Sequence, residues 1–332
     1  MNIYKLFLFS VNISLIFCSE LIQECEILKN YTNFDDIQCC KLSYVKCDES
    51  EGHIVSINLR NYIKIEIRNK FSLESFLNQF PSLEKLDISG NELTGNLIIP
   101  NNTTLVELDA SENCFKGKFV IPDNSEIGLF FSNAESKLEI LNISNNELTG
   151  DLVIPKNSTL VKLDARNNHF NGKLNIEEQT KLEELNISDN RLNGKLIIPP
   201  NSNLKTLKIS NNLLHGNLDL SECSKLEELI ANDNIFDGEL NIQENQHLEI
   251  LHAINNELKG DIKIPKNSNL KEIYLRNNKL NYSCNIEVEN DFPGCNDQLR
   301  TFLFIVIPLV VLIIICFVVV MVKKIGNGNE NK

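Results

Sequence analysis

The side chains able to do chemistry in this 332-residue chain are placed against catalysis. The histidines are His53, His169, His215, His247 and His252, and no two share metal-ligand spacing with a cysteine. A zinc site needs nitrogen and sulfur ligands that close around one ion. No serine sits in G-x-S-x-G, and no glycine loop fits a phosphate. Carboxylates do recur, since Asp87, Asp109 and Asp164 hold the same place in different segments. Calcium binding is the chemistry such a row offers, and a solvated acidic face is the expectation. The sequence therefore predicts no enzyme, no metal and no cofactor. A formal charge of −13 argues against nucleic acid as a partner.

Asparagine is the residue whose spacing is informative. Asn91, Asn113, Asn146, Asn168, Asn190, Asn212, Asn234, Asn256 and Asn278 all follow an L-x-x-L-x-(I/A/L)-x-x or closely similar string. Their chemistry is hydrogen bonding, because one amide offers two donors and a carbonyl acceptor. A buried backbone group left unpaired costs about 1–3 kcal/mol. Nine asparagines in one register thus predict a stacked ladder that satisfies backbone groups at a bend.

The elements that hold them repeat every 22 residues. The string LEILNISNNELTGDLVIPKNST at 138–159 returns at Leu160, Leu182, Leu204, Leu226 and Leu248, and is traceable at Leu83, Leu105 and Leu270. A fixed period of this length marks a solenoid. In each unit L-x-I alternates, so a first strand sends Leu141 and Ile143 inward and Asn142 outward. The second half, x-L-x-G-x-L-x-I-P, alternates again and predicts a second strand in place of a helix. Gly95, Gly117, Gly150, Gly172, Gly194, Gly216, Gly238 and Gly260 sit in its middle, and Pro100, Pro122, Pro155, Pro199 and Pro265 end it. Ala110, Ala165, Ala231 and Ala253 replace the third apolar residue, so a thinner core is expected there.

These motifs resemble an extracellular leucine-rich repeat protein of the plant type, with its LxGxIP half, over roughly residues 25–300. The plant class runs two residues longer and has G-x-I-P where this chain has G-x-L-x-I-P. The resemblance implies an α/β-type repeat arc with parallel strands on the concave side, and the second alternation makes it mostly β with a second strand per repeat, followed by one transmembrane helix. Strands stack at about 4.8 Å and helices need about 10 Å, so strands on both sides predict a flatter arc.

The remaining segments flank the array. Residues 1–19 read as a secretory signal, with Lys5 before an apolar stretch. Residues 20–53 form a cap containing Cys25, Cys39, Cys40 and Cys47, which shields the apolar end of the first coil. Four cysteines allow three connectivities. The string CCKLSYVKCDESEGHIVSINL resembles the amino-terminal cap of plant-type receptors and inhibitors, and that resemblance implies Cys25–Cys39 and Cys40–Cys47. Residues 54–82 are a degenerate first unit, in which Ile63, Ile65 and Ile67 alternate as a second strand, Phe71 to Phe80 suits a short helix, and Tyr62 stands in the asparagine's place. The array of nine units runs over 83–280, with an insertion at 124–134 that is expected to pack as an extra turn. Cys114 and Cys223 are expected to be free, semi-buried thiols.

A C-terminal cap at 281–300 is expected to close with Cys284 and Cys295. Residues 301–322 carry no charge and are long enough for one membrane helix. Lys323 and Lys324 then place the tail, 323–332, in the cytosol, giving a single-pass type I protein of the cell membrane. That tail is too short for a kinase, so any signal is expected to pass through a partner. Sequons at Asn30, Asn101, Asn102, Asn142, Asn157, Asn186 and Asn281 predict glycosylation, with Asn142 and Asn186 on the concave face.

The functional reading is a membrane-anchored recognition protein. Its expected partners are an extracellular protein, peptide or glycan ligand and a transmembrane co-receptor. An adhesion or structural surface protein, or a tethered inhibitor of a secreted hydrolase, are the alternatives. The alternation places Ile230, Ile250, His252, Ile254, Tyr274 and Arg276 outward on the last concave strands, where early units carry Lys85, Asp87 and Ser89. Exposed apolar clusters with Tyr and Arg mark interfaces.

Overall fold

The computed structural model describes residues 21–33, 39–48, 52–100, 104–119, 121, 137–155, 158–176, 181–265, 268–281 and 289–290. The expected signal, the 124–134 insertion, Cys284 and Cys295, the 301–322 span and the sequons Asn101, Asn102 and Asn157 lie outside these residues. Among the described residues no helix is long and apolar enough to cross a membrane.

Each 22-residue unit spends three residues on a first strand, as in Glu184–Asn186, with its central leucine buried and its flanking residues outward. These strands form one 12-stranded sheet from Val45–Asp48 to Glu289–Asn290. Val45–Asp48 pairs antiparallel with His53–Asn58, and every later neighbour is parallel. The register advances one unit per rung, as in Leu163 beside Leu185 and Leu185 beside Leu207. The second strands are less regular. Six of them, from Thr94–Gly95 to Leu213–His215, make a second sheet, and only Glu147–Val153 and His169–Asn175 are seven residues long. Later units keep two short pairs, Leu218–Asp219 with Leu240–Asn241 and Lys259–Asp261 with Lys279–Asn281. The expected second strand is thus present in every unit from Leu83 to Leu270, long in the middle units and two to five residues elsewhere.

Between the sheets lies a single apolar core running the length of the array. Ala110, Ala165, Ala231 and Ala253 are fully buried in it, and no thinning needs to follow. Three of those units carry a phenylalanine five residues on, Phe115, Phe170 and Phe236, each at most 1% exposed. Units with isoleucine at the alanine's place have leucine there instead, as in Ile143 with Leu148. Volume is thus exchanged within a unit, which close packing demands.

The asparagine row forms the predicted kind of ladder, and its geometry is uniform. Asn190 donates from Nδ2 to the carbonyl of Ala165 in the preceding unit (3.0 Å) and of Ile187 in its own (3.1 Å). Its Oδ1 accepts from the Phe170 N–H at 3.1 Å. Asn91, Asn168, Asn212, Asn256 and Asn278 repeat the same set. Asn113 and Asn146 do likewise, and Asn234 differs only in bonding the Asn232 carbonyl of its own unit. One residue earlier a second, exposed row turns the chain with positive φ, including Asn145, Asn167, Asp189, Asn211, Asp233, Asn255 and Asn277. Asparagine and aspartate tolerate that conformation best after glycine. Some of them also bond along the row, such as Asn277 Nδ2 to Asn255 Oδ1 at 2.6 Å.

The amino-terminal cap is a helix over 21–31 laid on the first rung, with the disulfides Cys25–Cys39 and Cys40–Cys47 that the resemblance implies. Its Glu24 is buried and accepts from the Ile54 N–H at 2.7 Å, with His53 Nδ1 2.9 Å from its other oxygen. Leu73–Leu77 is the expected short helix, capped by Ser72 and burying Phe76. The expected strand through Ile63, Ile65 and Ile67 is corrected to a helical turn, Ile65–Arg68. Ile63 N–H is held by Asn91 Oδ1 and Lys64 N–H by the Tyr31 carbonyl, so the chain turns there and leaves Ile65 68% exposed.

Candidate functional site

The outward third, fifth and seventh positions of each unit line the concave sheet. In the early units these side chains are neutralised by one another. Lys85 Nζ lies 2.8 Å from Glu107, Lys162 2.6 Å from Glu184, and Lys208 3.0 Å from Glu228. The hydrogen bond that Lys85 donates to Glu107 pushes its ammonium pKa up. Asp87 and Asp109 each accept from the hydroxyl and the N–H of the serine two residues on. Asp109 also accepts from Asn142 Nδ2 at 3.1 Å. Burial pushes the Asp164 carboxyl up, opposed by the Arg166 N–H and guanidinium and assisted by Asp109. The carboxylate row is thus largely committed to its own protein. Among the described residues the one cluster with metal-ligand geometry is Cys25, Cys39 and Cys40, all held in disulfides.

The last three described units differ. Their strands Glu228–Ile230, Ile250–His252 and Glu272–Tyr274 are adjacent, and the fifth-position row runs Lys208, Ile230, His252, Tyr274. Leu229, Leu251 and Ile273 point the other way and are fully buried. Ile230, Ile250, His252, Ile254 and Tyr274 are half-buried, and Arg276 is exposed. The His252 and Tyr274 rings meet with centroids 4.7 Å apart, and His252 Nε2 lies 3.3 Å from Glu272. Ile254 N–H is tied to Asn232 Oδ1 at 2.9 Å. The structure therefore brings all six residues into one patch, rigid in backbone and apolar at its centre. Such a patch can do no covalent chemistry; it can take up apolar surface and hydrogen-bond at its rim.

Other sites fall as follows. Asn142 and Asn186 are half-buried on the concave sheet, and Asn186 accepts from the Ser188 N–H. Asn30 and Asn281 are exposed, although Asn281 Nδ2 already donates to Asp261. Cys114 is half-buried, whereas Cys223 is fully buried, which corrects the expectation of a semi-buried thiol. Its burial pushes the thiol up to about 11. It lies in a turn between units that folds inward, where Asn245 of the next unit bonds its carbonyl.

A fold of stacked parallel rungs with an inner asparagine ladder defines a leucine-rich repeat solenoid. The Leucine Rich Repeat family model matches residues 82–102, 137–155 and 181–202. The resemblance to plant receptor-like proteins is present in the sequence itself. The chain is 39% identical over 62 residues to the "Receptor-like protein Cf-9 homolog" of Solanum lycopersicum. That stretch is 19% of this chain and spans only 7% of the relative. Among solved structures, a plant ice-binding protein superposes with a TM-score of 0.55 at 22% identity, covering 84% of this chain and 98% of its own, which shows the fold. The ectodomain of the Arabidopsis receptor kinase HAESA, in complex with an N-terminal extended IDA peptide hormone ligand, superposes with a TM-score of 0.51 at 25% identity. It covers 73% of this chain and 45% of its own.

Proposed function

We propose that this protein is a membrane-anchored recognition receptor whose concave sheet binds an extracellular peptide or protein segment at its C-terminal end. The observation that carries the reading is the change of outward side chains along one unchanged sheet, from paired charges to Ile230, Ile250, Ile254, His252, Tyr274 and Arg276. Backbone strands fix where these residues stand, so little conformational entropy is lost when a ligand meets them. The peptide complex of the HAESA ectodomain supports a peptide as ligand. Anchoring by residues 301–322 would hold this end of the array near the bilayer, within reach of a co-receptor.

The test is cross-linking from within the patch. A photo-reactive residue at position 250 or 274 of the full-length protein, displayed on cells, is expected to capture a secreted peptide or protein segment. The same residue at position 85 or 107 is expected to capture much less of it. Adding I250S/Y274S to a chain cross-linked from position 230 is expected to abolish capture. Equal capture from both ends of the sheet contradicts the assignment.

A further inference from the structure

Several lysines of the first sheet and its flanking turns meet a carboxylate of the neighbouring unit, as Lys85, Lys162, Lys205 and Lys271 do. On the second sheet Lys118, Lys173 and Lys195 follow Gly117, Gly172 and Gly194 at one position of their units. All three are exposed, and none forms an ion pair with another described residue. In a chain of net charge −13, unneutralised cations in register are the exception that asks for a partner.

Their stems are seated. A Cβ on Gly150 would lie 3.4 Å from Lys118 Cγ, and one on Gly216 would lie 3.3 Å from Lys195 Cγ. The glycine row is thus a shallow trough, and each stem lies across the next unit. Asp151 interrupts the lysine row, and its Oδ1 is taken by the Lys173 N–H at 2.7 Å. Lys116, on the same strand as Lys118, is paired with Glu147. Two residues before the lysine position stand Lys116, Thr149, Asn171, Asn193 and His215, hydrogen-bonding groups of which Asn193 Nδ2 already donates to the Asn171 carbonyl at 2.9 Å. Asn171 uses its Oδ1 on the Gly150 N–H and keeps its NH2. Arg191 and His169, both exposed, flank this row. Two residues after the lysine position Val153 and Ile197 are 46% and 50% exposed. The strip ends where Asp237, Glu239 and Asp261 take over.

We propose that this strip binds an acidic polysaccharide, a polyuronate lying along the solenoid axis. Such a polymer repeats three kinds of surface: carboxylates, hydroxyls and the C–H faces of its rings. The strip offers ammonium groups, amide and hydroxyl groups, and exposed aliphatic side chains in three parallel rows. Lys118 and Lys195 are three rungs apart, about 14 Å at the strand spacing. The site is on the opposite sheet from the concave patch and does not depend on it.

The experiment titrates full-length protein with polygalacturonic acid, with neutral dextran, and with vesicles of 30% phosphatidylserine in phosphatidylcholine. It compares K118E/K173E/K195E with K70E/K85E/K225E, which changes charge equally elsewhere, and melting curves establish that both fold. Polygalacturonic acid is expected to bind with an affinity that falls as NaCl is raised, and dextran is expected not to bind. The second-sheet triple variant is expected to weaken binding at least tenfold, and the control variant less than threefold. Asn193→Ala is expected to weaken it several-fold without changing the salt dependence. Absence of polygalacturonic acid binding overturns the proposal, as does equal weakening by both triple variants. Lysine-dependent binding of the vesicles alone would assign the strip to a membrane surface and overturn it as well.

Discussion

The first and last thirds of the concave sheet share a backbone and differ in the fifth and seventh outward rows, which run from Asp87, Asp109, Ser89 and Ser111 to Ile230, His252, Tyr274 and Ile254. Lys85–Asp87 and Ile250–His252 are both three-residue strands in the same parallel register. Their inward leucines, Leu86 and Leu251, are equally buried. Yet one strand presents Lys85 to Glu107, and the other presents Ile250 and His252 to solvent. The comparison teaches that a solenoid separates its tasks by row. Inward rows must satisfy packing in every unit, so they repeat. Outward rows are less constrained by packing, so they are free to change chemistry where a partner is met.

The sharpest challenge to this separation is an outward residue that the fold needs. Cys40 is exposed, yet its disulfide to Cys47 ties the cap to the first rung. Cys40→Ser is expected to cost about 2–5 kcal/mol, read as a fall in the denaturant midpoint. A loss within error would mean that the cap does not stabilise the array. Next comes a pair of neighbours. Asn190→Ala is expected to cost about 1–3 kcal/mol, because the Ala165 and Ile187 carbonyls and the Phe170 N–H lose their partner. Arg191→Ala, exposed and one residue on, is expected to stay within about 0.5 kcal/mol. Equal losses would dissolve the distinction between rows.

The smallest effect is expected at Asp164, where the outward row is half-buried. Burial raises its carboxyl pKa in the folded state, so the folded protein holds the proton more tightly than the unfolded chain. Its contribution to stability therefore falls as pH rises from the unfolded pKa through the folded one. Asp164→Asn is expected to raise the melting temperature slightly at pH 7 and to leave it unchanged well below pH 4. An unchanged melting temperature at both pH values would show that solvent screens the group completely.

Much of this was legible in the sequence because a repeat states its pattern many times. The 22-residue register placed Asn190 in a ladder and Ile250 on the open face before any coordinates. What escaped was decided by contacts between units or outside them. Ile63, Ile65 and Ile67 alternate like a strand, but Asn91 and Tyr31 bind the backbone there and turn it. Ala165 looked like a gap until Phe170, five residues on in the same unit, was seen buried with it. The helix over 21–31 left only the weak spacing of Leu21, Cys25 and Leu28. The register of Lys118, Lys173 and Lys195 becomes visible only once the rungs are stacked.

The separation of rows is tested most directly by melting two double variants of the same two strands. I250S/Y274S removes outward side chains, and L251A/I273A removes their inward neighbours. The outward pair is expected to shift stability by less than about 1 kcal/mol, while the inward pair, at about 2–5 kcal/mol per truncation, melts the terminal units. A large loss from I250S/Y274S would show that the patch is core covered by the protein itself, and would contradict its assignment as a ligand surface.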